Sequence, residues 1–268
     1  MWRIKARRRA RMFGIGAVVI VGGLMAGLWM MQGSRLGPDG CPKGSGPSRE
    51  IIMLLDTSDP LTDKHKAEVG RILREMTNPG VSVHHKGLAV REGERVSFYA
   101  LRSTGVPESP VSQICNPGGD PAQRTLIDSL TKGTSIEEWK YKRFVRLVEG
   151  LFPENDGPPQ PASPLLETIA VITARHAPSE RADADAKHAH LIVISDLLQH
   201  TPMLSHYGSY PGPVSLPREL RADLSRVEVS LYRLERHKYT KFQTPGHYYW
   251  WTDVVEEMGG RIVWQQAL

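Results

Sequence analysis

Cysteine is scarce in this chain, with only Cys41 and Cys115 among 268 residues. That excludes a cysteine-rich scaffold and a multi-cysteine zinc module. Excess charge is confined to one end: Arg3, Lys5, Arg7, Arg8, Arg9 and Arg11 are six of the 34 bases, which leaves 28 bases against 29 acids in the rest. The pI of 9.2 therefore describes a short tail, and no basic surface for nucleic acid follows for the body. No repeat of solenoid period is present, nor a G-x-S-x-G elbow, nor a Gly-Lys-Ser/Thr phosphate loop. What remains, 40% hydrophobic and 24% charged residues, is the make-up of a globular protein rather than a disordered or multi-spanning one.

Residues 12–31 form an uncharged run of twenty, MFGIGAVVIVGGLMAGLWMM. As a helix rising 1.5 Å per residue, such a run covers the roughly 30 Å hydrocarbon core of a bilayer. The basic tail 1–11 before it favours a cytoplasmic N-terminus, so the chain after residue 31 is expected on the periplasmic or extracellular side of the inner membrane. A cleaved signal peptide is the alternative, but the run is longer than the usual apolar region and no A-x-A-like site follows. Residues 32–49 are rich in Gly, Pro and Ser and read as a linker to a domain at 50–268. In an oxidising compartment Cys41 and Cys115 are expected to pair, with two free thiols as the alternative.

Short continuous apolar runs at 51–55 (IIMLL) and 189–195 (AHLIVIS) predict central strands covered on both faces. Further strands are predicted at 81–90, 96–101, 227–234 and 261–264. Apolar spacing predicts helices over 63–77, from Thr134 to Leu151, from Pro164 to His176 and over 248–258, the last stopped by Gly259 and Gly260. Strands alternating with helices indicate an α/β fold, a Rossmann-like, mostly parallel sheet with helices on both faces. The irregular stretches 102–121 and 197–217 follow strands, where open α/β sheets gather their ligand loops.

The first buried strand runs into Asp56-Thr57-Ser58-Asp59-Pro60, and the later one into Ser195-Asp196-Leu197. An apolar strand ending in D-x-S, a helix, a hydroxyl opening a second helix at Ser163, and a second apolar strand ending in Asp resemble the von Willebrand factor A fold over about residues 50–265. The resemblance implies a metal-ion-dependent adhesion site at Asp56, Ser58, Ser163 and Asp196 that holds Mg²⁺ or another divalent cation, since hard cations take oxygen ligands. The pattern is degenerate. Pro60 stands where a second serine is expected, Ser163 replaces threonine, and Leu197 follows Asp196 where glycine is common. Each residue also has a plain structural use: Ser58 and Thr62 suit capping of one helix, Ser163 suits capping of the next, and a strand-end Asp accepts backbone N–H groups.

The expected function is a membrane-anchored, extracytoplasmic protein-binding module within an envelope assembly, with no catalytic step and no nucleic-acid partner. The rival is an exported metal-dependent hydrolase using Asp56 and Asp196, with His200 as a base. Asp196, His200 and His206 form a metal cluster only if the 197–217 loop folds back. Ser58 in place of a second aspartate excludes the D-x-D arrangement of aspartate-nucleophile phosphatases. The run His247-Tyr248-Tyr249-Trp250-Trp251 reads as helix packing, or as a contact surface if exposed. Oligomeric state is not legible.

Overall fold

The structure, a computed structural model, describes residues 37, 39–41, 46–77, 88–102, 105–118, 142–146, 161–176, 189–208 and 216–268. The apolar runs become strands β1 (Glu50–Asp56), β2 (Arg95–Leu101), β4 (Ala189–Ser195) and β5 (Val227–Arg233), joined by β3 (Ser112–Cys115) and β6 (Arg261–Ala267). They form one six-stranded sheet in the order β3-β2-β1-β4-β5-β6. All pairs are parallel except the edge pair β2–β3. The helices α1 (Asp63–Thr77), α2 (Leu165–His176) and α3 (Pro245–Glu257) accompany the sheet.

Alternation along the strands separates two cores. Ile52 and Leu54 of β1 and Leu191 and Val193 of β4 pack with Leu165, Ile169 and Ile172 of α2 and with Trp251 and Val254 of α3. Ile51, Met53, Leu55, Ile192 and Ile194 face the other way, onto Val69, Ile72, Leu73 and Met76 of α1 and onto Phe144 from the helical residues 142–146. Both faces of β1 and β4 are covered, which is why residues 51–55 and 191–194 are apolar without interruption.

β1 has β2 on one side and β4 on the other, so the chain reverses direction across the sheet between β1 and β4. In open α/β sheets a crevice opens at the carboxyl ends of such a pair. The opposite, amino edge carries the Cys41–Cys115 disulfide, which closes a separation of 74 residues. It ties the linker to the end of β3, where Cys115 lies opposite Arg95, the first residue of β2.

Several expectations are revised. Residues 88–90, the end of the strand expected at 81–90, are not strand; Leu88 and Val90 instead pack on the α1 side, with Val90 N–H bonded to Met76 O. β3 lies in a stretch read as irregular, its four residues being too few for a periodic signal. α3 begins three residues early because Thr244 caps it, accepting from His247 N–H, with Pro245 at the first turn. β6 extends through Gln265 and Gln266, polar residues on a half-buried edge. The strand at 81–87, most of the helix at 134–151, the tail 1–11 and the membrane run 12–31 lie outside the described residues. Among the described residues no helix is long and apolar enough to cross a membrane.

Candidate functional site

Asp56 ends β1 and Ser195 ends β4, and the parallel register that pairs Leu55 with Ile194 sets them side by side. Ser195 Oγ donates to Asp56 Oδ2 at 2.6 Å, while Asp56 Oδ1 accepts the Ser58 N–H at 2.9 Å. Ser163 Oγ lies 3.5 Å from Asp56 Oδ2. Asp196 Oδ1 accepts the Leu198 N–H at 3.0 Å, and Asp196 Oδ2 lies 3.2 Å from Arg236 Nε. The four residues expected from sequence are thus at one place on the carboxyl edge, all buried. Ser58, Ser163 and Asp196 share, with Asp59, His200, Tyr207 and Tyr239, the lining of a pocket of about 200 Å³.

The capping readings divide between these hydroxyls. Thr62 is the cap of α1, accepting the His65 N–H at 3.2 Å, whereas the Ser58 N–H turns back to Asp56. At α2 the Leu166 N–H is taken by the Gln199 side chain at 2.9 Å, and the Ser163 hydroxyl is directed to Asp56. Ser163 also pairs through its backbone with His200, which fastens the start of α2 to the loop after β4.

That loop carries strain. Leu197 has φ 62°, a left-handed conformation costly for a branched side chain and easy for glycine. It is held by its carbonyl, which accepts the Trp251 indole N–H at 2.8 Å, and by a side chain buried in the core. Gln199 N–H donates to His206 Nδ1 at 3.2 Å, and His247 Nε2 and Leu197 O lie 2.9 Å and 3.3 Å from the same nitrogen. Burial, with the neighbouring His247, lowers His206 to about 3, and burial, with Arg233, lowers His247 to about 4. The loop does fold back, yet His206 is spent on this pairing and His200 Nδ1 bonds to Ser205 Oγ at 2.8 Å. Among the described residues no three His, Cys, Asp or Glu side chains group to hold a metal.

Burial first, and the charge of Asp56 second, push Asp196 up to about 7, although the Leu198 N–H and Arg236 pull the other way. Arg236 follows β5 and spans the site: its Nη1 donates to Pro60 O at 2.7 Å and its Nη2 to Asp59 O at 3.1 Å. Lys238 Nζ sits 3.0 Å from Asp59 Oδ1. Gln243 locks the segment in place, donating to Asp196 O and Leu234 O and accepting from Arg236 N–H. None of Arg236, Lys238, Gln199 or Gln243 was legible as a site residue, because each is a lone polar residue in a loop with no motif spacing.

A hard divalent cation takes about six or more oxygen ligands and keeps several waters. With Arg236 in place, the residues present do not fit one. Pro60 has no hydroxyl, both oxygens of Asp56 already accept hydrogen bonds, and the Asp196 carboxylate faces a guanidinium that would repel a second cation. Trp250, Trp251 and His247 are buried as packing residues, while Tyr249 is exposed.

No protein-family model matches the sequence, and no curated protein matches it at a significant level.

Proposed function

We propose that the chain is a membrane-anchored, extracytoplasmic protein-binding module of von Willebrand A type, which receives a partner's side chain in the pocket at the carboxyl edge of its sheet. The observation that carries this reading is the pocket itself: about 200 Å³, at the β1/β4 reversal, lined by polar side chains from four separate segments. The sheet order with an antiparallel edge strand supports the von Willebrand A assignment. Export is supported by the basic tail before an uncharged twenty-residue run and by the Cys41–Cys115 disulfide, a bond typical of oxidising compartments.

A photo-crosslinking residue at Tyr239, on the pocket wall, tests it against one at Val111, exposed on the sheet's far edge strand approach. A discrete protein adduct from position 239 and not from 111, in intact membranes, is expected. No adduct from 239, or metal-dependent hydrolysis of a phosphoester panel that Asp196→Ala abolishes, defeats the reading in favour of an enzyme.

A further inference from the structure

We propose that the Arg236 guanidinium, assisted by the Lys238 ammonium, is a built-in replacement for the divalent cation of a metal-dependent adhesion site, so that this site is assembled without metal. The proposal rests on the von Willebrand A reading of the fold and goes beyond it, and it does not depend on what enters the pocket.

A divalent ion at such a place does two things: it neutralises carboxylates gathered at the strand ends, and it cross-links loops by drawing their oxygens to one point. Arg236 does both with protein atoms. Its three nitrogens reach Asp59 O, Pro60 O and Asp196 Oδ2, so one planar group joins the loop after β1 to the loop after β4. The guanidinium fork can bond two oxygens at fixed spacing and hold a third contact, which an ammonium on a flexible stem cannot. Arg236 is only 9% exposed, and Gln243 fixes its backbone, so the group is positioned before any ligand arrives.

The charges agree with this. Asp56, Asp59 and Asp196 are buried within one site, and Arg236 and Lys238, two residues apart on one loop, bring the two positive charges that one divalent ion would bring. Pro60 then has a use. Where a serine would turn a hydroxyl to a metal, Pro60 leaves only its carbonyl, and that carbonyl accepts Arg236 Nη1 at 2.7 Å.

Thermal unfolding of the detergent-solubilised full chain, in EDTA or in about 10 mM MgCl₂ or MnCl₂, tests the proposal in the wild type and in Arg236→Met. The wild type should melt at one temperature in all three. Arg236→Met should melt lower and recover roughly 5 °C with Mg²⁺ or Mn²⁺, because its carboxylates are then left without a cation. A wild type that gains as much from metal overturns the proposal, and so does a folded Arg236→Met that gains nothing. Should Arg236→Met not fold, Asp196→Asn with Arg236→Met decides: with one charge of each sign removed it should fold, and its failure to do so overturns the proposal too.

Discussion

The two ends of the sheet bury carboxylates in opposite ways. At the amino edge, Glu50 is met by Arg95 Nε at 2.7 Å, by His176 Nδ1 at 3.1 Å and by the Ser97 hydroxyl, and Tyr99 OH lies 2.7 Å from His176 Nε2. Arg49 adds contacts to Glu94 and Glu228, and the disulfide closes beside them. The buried acids there, Glu50 and Glu94, each have an arginine within 4 Å, and Glu50 also accepts from Ser97. At the carboxyl edge, Asp56, Asp59 and Asp196 crowd together, and Asp196 is raised to about 7 by burial and by Asp56. The first arrangement is what a structural end looks like; the second keeps unfavourable charge, a strained leucine and an open pocket, features that persist where a site has to meet something else.

The largest effect that would sharpen this contrast is at the amino edge. Replacing both Cys41 and Cys115 with serine should lower stability by roughly 3 to 5 kcal/mol, because the bond closes a long loop in the unfolded chain. Urea unfolding measures it, and crosslinking from position 239 should persist in the variant under native conditions. A loss below about 1 kcal/mol would mean that the linker adds nothing to the amino edge.

Acid should act on the other end. His206 and His247, at about 3 and about 4, stay neutral in the fold while the unfolded chain protonates near the ordinary 6.5, so stability falls as pH drops below that value. Asp196 works in the opposite direction. At about 7 against an ordinary 3.8, it takes up its proton in the fold first, so its contribution rises as pH falls between those values. Each group is worth about 1.4 kcal/mol per pH unit within its window. From pH 6.5 to 5, two histidines against one aspartate should leave a net loss of about 2 kcal/mol in the wild type and about 4 kcal/mol in Asp196→Asn. Equal slopes in the two proteins would show that Asp196 is already ionised at pH 5.

The central strands and the helices at 63–77 and 165–176 were legible because burial on both faces forces uninterrupted apolar runs, and one-sided burial forces helical spacing. The convergence of Asp56, Ser58, Ser163 and Asp196 was legible as well, since parallel strands deliver their ends to one edge. What surrounds them was not. Arg236 reaches Pro60 and Asp59 across more than 170 positions of sequence, Gln199 caps α2 from a different loop, and His206 meets His247 from 41 residues away. Such contacts follow from the path of loops, which carries no period. Leu197 was visible only as an unexpected residue in a glycine position, and the structure shows that it adopts the glycine conformation nonetheless.

The smallest expected effect isolates that strain. Leu197 and Leu198 are adjacent, both buried, and both lose a full side chain and gain the same freedom in the unfolded state when changed to glycine. They differ in backbone: among the described residues Leu197 is the non-glycine residue with positive φ. Glycine at 197 relieves a cost of about 1 kcal/mol that glycine at 198 does not. Leu197→Gly should therefore destabilise by about 1 kcal/mol less than Leu198→Gly in urea unfolding. Loss of the same magnitude at both positions would mean that the Trp251 bond and the surrounding core make the left-handed turn cost nothing, and the carboxyl edge would then differ from the amino edge in charge alone.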